Sequence, residues 1–273
     1  MSESKPSDPI ADQLRSPDRG LRLQALLRLS REPPTTLDDN VVEALIENLC
    51  SPLKAFQRHA ASAIAPAAAR NPTIVARLVG MLEGPPTPAR WAAAYALGLI
   101  DGALDLRACA ALLDALANPD GDVRWAALDL LVRLGRRFHE PIRDRLLALQ
   151  EHPDANSRKM SLYALRDLGI REPAVVAAVC RSCAGGDSQV RLAALSFLKQ
   201  AGGCEGATVD TVVACLKSDP DEGVRRAAAF TLGHLDDRSE RVLTALREAA
   251  NAPHDASLRK AALQTLERLK EES

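Results

Sequence analysis

An arginine recurs along this chain at a nearly constant interval, and that interval constrains the fold more than any other feature. Successive arginines are 36, 32, 34, 34, 33, 34 and 34 residues apart, at Arg22, Arg58, Arg90, Arg124, Arg158, Arg191, Arg225 and Arg259. The surrounding sequence also repeats, as in residues 119–131 (PDGDVRWAALDLL) and 220–233 (PDEGVRRAAAFTLG). Self-similarity with a period of about 20–50 residues is typical of stacked structural repeats. The sequence therefore predicts about eight copies of one repeat, and we call these residues the marker arginines.

Each repeat is predicted to contain two helices joined by short turns. The marker arginine falls in the first turn of the longer helix, helix B, usually four residues after an aspartate that can accept hydrogen bonds from the unpaired amides there. These aspartates are Asp18, Asp120, Asp154, Asp187, Asp221 and Asp255, with Lys54 and Pro86 as exceptions. A shorter amphipathic helix, helix A, is predicted at 9–15, 41–49, 72–82, 106–117, 141–150, 173–183, 208–217 and 239–250. The predicted fold class is all-α.

The length of the chain also favours a repeat array. At 273 residues it is too long for one average compact core, and no Gly/Ser-rich or Pro-rich linker divides it. In an elongated array each repeat buries its apolar face against its neighbours only, so length is not limited by one core. We therefore expect a disordered tail at residues 1–9 and a single solenoid over residues 10–273.

Charge and hydropathy exclude several classes of partner. The chain has 35 basic and 36 acidic residues and a formal net charge of −1, so no overall field attracts nucleic acid or an anionic membrane. The first residues lack the apolar core of a signal peptide, and no segment has the ~18 uninterrupted apolar residues of a membrane span. We expect a cytoplasmic protein that does not contact a membrane.

The repeat pattern Pro-Asp-x-x-Val-Arg-x-x-Ala-Ala-x-x-Leu-Gly resembles the HEAT-like repeats of the class also found in phycobilin lyases. The resemblance covers nearly the whole chain from about residue 10, more loosely in the third and fifth repeats. It implies a right-handed α-α superhelix of about eight two-helix repeats. Helix A would line the convex face, and helix B would line a concave groove.

The marker arginine also predicts which residues face that groove. If the apolar stripe of helix B points into the stack, the positions one and five residues after the arginine lie on the opposite side. Both tryptophans and both tyrosines fall at these positions. The candidate partner-binding residues are Trp91, Tyr95, Trp125, Asp129, Lys159, Tyr163, Arg226 and Phe230. Further along the same helices come Arg133, Arg166, Lys199, His234 and Arg268.

Two interpretations of this aromatic concentration stay open. Trp and Tyr are enriched in binding hot spots, so the cluster predicts a site for a protein or peptide segment, with basic residues contacting its acidic groups. Alternatively, tight curvature brings neighbouring helices B together, and the large side chains pack on one another. For the marker arginines themselves, a network of internal ion pairs is favoured over a row of phosphate contacts.

Catalytic roles have weaker support in the sequence. Trp125 and Asp129 have a spacing that resembles HEAT-like DNA glycosylases, but the chain lacks the basic character of a duplex binder. His139-Glu140 is a single dyad where HEAT-like hydroxylases that bind two irons use several. The lyase resemblance leaves tetrapyrrole handling as a further alternative. We therefore expect a non-catalytic scaffold with no cofactor, a protein or peptide partner, and no catalytic residues.

Six cysteines are present, at positions 50, 109, 180, 183, 204 and 215. Only Cys180-Arg-Ser-Cys183 has a metal-like spacing, and a tetrahedral zinc site would need two more ligands, for which Cys204 and Cys215 are nearest in sequence. No histidine accompanies them. We expect reduced thiols packed as small apolar side chains, and no metal.

Overall fold

A computed structural model describes residues 9–83, 88–202, 206–235, 237–253 and 255–271. These residues form sixteen α-helices and no β-strand. The helices A are Pro9–Leu14 (α1), Asp39–Leu49 (α3), Pro72–Leu82 (α5), Cys109–Ala115 (α7), His139–Ala148 (α9), Pro173–Ser182 (α11), Gly206–Ser218 (α13) and Glu240–Ala250 (α15). The helices B are Arg19–Arg31 (α2), Lys54–Ala68 (α4), Pro88–Gly98 (α6), Gly121–Arg137 (α8), Ala155–Asp167 (α10), Ser188–Ala201 (α12), Glu222–Leu232 (α14) and Ala256–Glu271 (α16). The all-α prediction with eight helix pairs is confirmed for the described residues.

The chain divides into two compact units. Unit 1 comprises Met1–Ala115 and contains α1 to α7, and unit 2 comprises Leu116–Ser273 and contains α8 to α16. The boundary falls between the two helices of the predicted fourth repeat. Residues 1–8 of the predicted tail lie outside the described residues, and α1 begins at Pro9. A single solenoid over residues 10–273 stays a prediction.

The predicted aspartate caps are present at the start of helix B. Each of the six aspartates accepts a hydrogen bond from a backbone amide two or three residues later. In α16, for example, the Leu258 amide donates to Asp255 Oδ1 over 2.8 Å. That bond and, secondarily, the Arg225 guanidinium lower the pKa of Asp255, so the carboxylate is the favoured form of the cap.

The marker arginines of unit 2 close the loop that precedes their own helix B. In each, Nη1 donates to two consecutive backbone carbonyls at 2.6–3.4 Å. Arg124 contacts residues 118 and 119, Arg158 contacts 152 and 153, Arg191 contacts 185 and 186, Arg225 contacts 219 and 220, and Arg259 contacts 252 and 253. The guanidinium thus satisfies carbonyls that the turn leaves without a backbone partner.

Three marker arginines also form ion pairs with the next repeat, and in unit 1 Arg90 Nη1 lies 3.0 Å from Asp114 Oδ2. Arg191 binds both oxygens of Asp219 over 2.7 and 2.8 Å, and Arg225 Nη2 lies 3.2 Å from Asp255 Oδ2. The Arg191–Asp219 pair is buried, with side-chain exposures of 8% and 4%. The predicted internal ion pairs therefore exist at these positions, but the partner lies in the following repeat rather than four residues earlier.

The core of unit 2 runs between the helices A and B of consecutive repeats. Seven residues after the marker arginine, a fully buried leucine recurs at Leu131, Leu165, Leu198 and Leu232. The helices A contribute equally buried residues at Ile142, Leu146, Val179, Val212, Val242 and Leu246. Burying a leucine, isoleucine or valine side chain at each of these positions contributes about 1.5–3 kcal/mol to the stability of the fold. The repeating stripe on helix B therefore points inward, as the sequence predicted.

Neighbouring helices B approach closely at glycines. A Cβ placed on Gly135 of α8 would lie 2.8 Å from Leu168 Cδ2, and one on Gly233 would lie 2.9 Å from Thr265 Cγ2. Both contacts reach the following repeat. Gly233 is the glycine that ends the repeat pattern, and packing against the next repeat explains it; Gly135 lies three residues further along in its own repeat and makes a similar contact.

Replacing Gly135 with alanine is expected to destabilise unit 2 by about 1–3 kcal/mol, because the added methyl group overlaps Leu168 in a filled core. The matched control is Gly80→Ala in α5, where a Cβ would meet no atom within 4 Å. There the higher helix propensity of alanine should raise the free energy of unfolding by about 0.5–1 kcal/mol. Urea unfolding followed by far-UV circular dichroism measures the free energy of unfolding of both variants. Equal changes in the same direction would contradict the packing account.

Candidate protein-binding face

The predicted groove positions of unit 2 form one accessible surface on its helices B. We call this surface the B face, comprising the residues one and five positions after the marker arginine: Trp125, Asp129, Lys159, Tyr163, Leu192, Ser196, Arg226, Phe230, Lys260 and Gln264. Every one of them is half-buried or exposed. The helices lie side by side, since α8 contacts α10, α10 contacts α12, α12 contacts α14 and α14 contacts α16. The prediction that these positions point away from the core is confirmed in unit 2.

Two aromatic residues of the B face stack on each other. The rings of Trp125 on α8 and Tyr163 on α10 have centroids 5.6 Å apart and an interplanar angle of 14°. Trp125 nevertheless remains 51% exposed, a large value for an indole ring. Stacking restricts the rotamers of Trp125 before any partner arrives, so less side-chain entropy would be lost on binding.

Arg166 extends this stack toward the next repeat. Its guanidinium carbon lies 4.9 Å from the centroid of the Tyr163 ring, within the range of a cation–π contact. Its Nη1 donates to Ser196 Oγ on α12 over 2.9 Å, and its Nε donates to Asp167 Oδ1 over 2.7 Å. Trp125, Tyr163, Arg166 and Ser196 therefore form a continuous line across three helices B.

Basic side chains predominate around this line. The B face and the next turn of its helices hold the basic residues Arg133, Lys159, Arg166, Lys199, Arg226, Lys260 and Arg268, against the acidic residues Asp129, Asp167 and Glu267. Asp129 lies 3.5 Å from Arg133. Among the described residues, Lys159, Lys199, Arg226 and Lys260 have no ion pair within 4 Å.

The helices A of unit 2 have the opposite character, since several of their charges are paired between repeats. Arg241 of α15 binds Asp210 of α13 over 2.6 Å, and Lys217 binds Glu248 over 2.7 Å. Exposed pairs of this kind each contribute no more than about 1 kcal/mol. Part of the charge on the helices A of unit 2 is therefore neutralised by the neighbouring repeat.

A second set of contacts lies further along unit 2, near Phe230, which is 37% exposed. His234 Nδ1 lies 2.9 Å from the Phe230 carbonyl oxygen, and Arg268 Nη1 lies 2.6 Å from His234 Nε2. A carbonyl only accepts and a guanidinium only donates, so Nδ1 carries the proton and Nε2 accepts. The His234 ring thus connects the Phe230 carbonyl oxygen with the Arg268 guanidinium beside the B face.

The corresponding aromatic residues of unit 1 are placed differently. Trp91 is only 6% exposed, which corrects the prediction that it projects into solvent. It contacts Tyr95, with ring centroids 5.4 Å apart, and Tyr95 is half-buried. On α4 the position that corresponds to Tyr95 is Ala63, which is fully buried.

The reason for this burial lies in the composition of α4 and α6. Both helices are rich in alanine, and most of these alanines are buried. Alanine also allows neighbouring helices to approach closely and cover the face that carries Trp91. The Trp91–Tyr95 contact lies within α6, whereas the aromatic pair that joins two neighbouring helices B is Trp125 with Tyr163 in unit 2.

No membrane-crossing or metal-binding arrangement is found within the described residues. None of their helices combines the length and the apolarity needed to cross a bilayer. Nor do three or more His, Cys, Asp or Glu side chains in those ranges converge as metal ligands do. Cys204, a candidate zinc ligand in the sequence, lies outside the described residues. The glycosylase-like and lyase-like alternatives stay predictions.

Comparison with protein families agrees with the repeat pattern. A family model for HEAT repeats matches residues 42–132, 109–199 and 184–267, and these segments together cover most of the chain. The chain belongs to the HEAT-repeat family. No curated protein matches the sequence of this HEAT-repeat chain.

Solved structures resemble the HEAT-repeat chain in fold. The karyopherin Kap121p in complex with Pho4p gives a TM-score of 0.68 at 12% identity, over 96% of this chain and 33% of Kap121p. Kap121p bound to the extreme C-terminus of the phosphatase Cdc14p gives 0.68 at 12% identity, over 96% and 34%. An engineered protein gives 0.51 at 18% identity, over 96% and 77%. The chain thus spans about a third of the length of Kap121p, and the likeness concerns the fold.

Proposed function

We propose that this HEAT-repeat chain is a non-catalytic adaptor whose B face in unit 2 binds an extended protein segment. The observation that carries the proposal is Trp125, half exposed and stacked on Tyr163 beside four basic side chains that have no ion pair within 4 Å among the described residues, namely Lys159, Lys199, Arg226 and Lys260. Binding hot spots are enriched in Trp, Tyr and Arg, and they depend on side chains that are ordered before the partner arrives.

The charge of the B face specifies the partner. Lys159, Lys199, Arg226 and Lys260 would attract carboxylate groups, while Trp125 and Phe230 would contact apolar side chains between them. The partner is therefore a segment that alternates acidic and apolar residues. The Kap121p structures contain bound protein partners, and they support the general idea that a HEAT-repeat array can hold a protein segment.

Selection from a random peptide library displayed on phage tests the proposal. With the immobilised chain as bait, we expect enrichment of peptides that combine Asp or Glu with apolar residues, and an affinity that falls as salt is raised. A variant with Lys159→Glu and Arg226→Glu should lose at least about tenfold in affinity for those peptides, since it places like charge beside the ligand.

The matched control carries the same change in charge on helices A. Arg145→Glu on α9 with Arg181→Glu on α11 alters two exposed residues away from the B face and should leave affinity unchanged. Enrichment of basic peptides, or equal losses in the two variants, would contradict the proposal.

A further inference from the structure

Three of the six cysteines gather around one pocket in unit 2. The pocket has a volume of about 610 Å³ and lies between α11 and α13. Cys180 belongs to α11, Cys183 follows its last turn, and Cys215 belongs to α13 in the next repeat. All three line the pocket, together with Arg191 and Asp219. It lies on the side of the helices A, so it is independent of the B face.

Two of these cysteines are in contact. The Cys215 thiol donates to the Cys183 carbonyl oxygen over 3.8 Å, and both side chains line the same pocket. The Cys183 thiol can donate to a Cys215 thiolate, which lowers the pKa of Cys215 and raises that of Cys183. Cys180 instead donates to Thr208 Oγ1 over 3.6 Å.

The surrounding structure holds this pair in place. Arg191 binds the carbonyl oxygens of Gly185 and Gly186, which follow Cys183 closely in sequence, and also binds Asp219, which follows Cys215 by one turn. One buried guanidinium therefore fixes the two chain segments that carry the thiols relative to each other. Cys183 and Cys215 are only 3% and 7% exposed, so an oxidant that reaches them has to be small enough to enter the pocket that they line.

We propose that Cys215 and Cys183 form a site of reversible oxidation by hydrogen peroxide, with Cys215 as the attacking thiol and Cys183 as the resolving thiol. The product is a disulfide that joins α13 to the end of α11, and so links two consecutive repeats covalently. The chemistry needs only the two thiols and the peroxide.

The reaction proceeds in two displacements. The Cys215 sulfur attacks one peroxide oxygen, the O–O bond breaks, and the departing hydroxide takes up the thiol proton to leave as water. The Cys183 sulfur then attacks the sulfur of the resulting sulfenic acid. The S–S bond forms, the S–O bond breaks, and hydroxide leaves with the Cys183 proton as a second water. Two thiols have lost two electrons and two protons, and one peroxide has become two waters.

Mass spectrometry of the full chain tests this proposal. After peroxide treatment and alkylation, we expect two of the six thiols to escape alkylation, a loss of about 2 Da before alkylation, and recovery of all thiols with dithiothreitol. Digestion should yield one peptide pair linked through Cys183 and Cys215.

Single serine variants separate the roles of the thiols. Cys183→Ser should accumulate sulfenic acid at Cys215, trapped by dimedone at least about tenfold above the native chain, because the resolving thiol is gone. Cys215→Ser should leave Cys183 reduced. The control Cys180→Ser should form the same disulfide as the native chain, and circular dichroism confirms that each variant is folded.

Several outcomes would overturn the assignment. These are a disulfide that includes Cys180 or the exposed Cys50, a disulfide between two chains, and full alkylation of all six cysteines after treatment. Equal dimedone labelling in Cys183→Ser and in the native chain would also exclude Cys183 as the resolving thiol.

Discussion

Replacing Arg191 with methionine is expected to lower the free energy of unfolding by about 3–5 kcal/mol, since it leaves a buried carboxylate without its partner. The Asp219 side chain is 4% exposed and receives two hydrogen bonds from this guanidinium. The substitution also removes the donor for the carbonyl oxygens of Gly185 and Gly186. Urea unfolding monitored by circular dichroism measures the loss.

An exposed ion pair provides the matched control for Arg191. Arg247 binds Glu240 over 2.7 Å with side-chain exposures of 56% and 77%, so Arg247→Met should cost less than about 1 kcal/mol. Combining Arg191→Met with Asp219→Leu should recover much of the loss, because no buried charge then remains unpaired. A single Arg191 variant as stable as the Arg247 variant would show that the buried pair does not hold the repeats together.

Replacing Trp125 with alanine is expected to weaken binding of a selected peptide by about 30-fold or more, equivalent to about 2 kcal/mol. The indole provides the largest exposed apolar surface of the B face, and its truncation also removes the stack on Tyr163. Fluorescence polarisation with a labelled peptide measures the dissociation constant, and thermal unfolding establishes that the variant remains folded.

Leu21→Ala is the control for Trp125→Ala. Leu21 lies in unit 1 and is 52% exposed, almost the same fraction as Trp125, so the variant removes an equally exposed apolar side chain outside the B face. The Leu21→Ala variant should bind the selected peptide with the same affinity as the native chain. Trp91 is unsuitable as a second variant, because its burial means that truncation would cost packing energy as well. An unchanged affinity in Trp125→Ala would exclude the B face as the binding surface.

Sequence periodicity was sufficient to predict the local structure. The spacing of the marker arginines placed the helices, and the predicted helix at 72–82 has the bounds that the structure shows. The aspartate caps were also predictable, because capping depends on residues only two or three positions apart. Interactions between residues within one or two helical turns can therefore be predicted from the local sequence.

Contacts between repeats were harder to predict. The position of Trp91 relative to its own helix was predictable, but its burial depends on what the neighbouring alanine-rich helices cover. The loop carbonyls that bind the marker arginines are backbone groups, so no side-chain pattern marks them. The contact of Cys215 with the Cys183 carbonyl oxygen joins two consecutive repeats, and no local spacing of cysteines marks it.

Each marker arginine of unit 2 is hydrogen-bonded to the loop just before its own helix, and this affects how easily a repeat can be duplicated or deleted. Donor and acceptors lie within seven residues of each other, so a repeat that is duplicated or deleted carries both along. No carbonyl loses its donor, and no guanidinium is buried without an acceptor. Each loop therefore remains satisfied when a whole repeat is gained or lost, and what has to adjust is the contact between neighbouring repeats, including the ion pairs of Arg191 and Arg225.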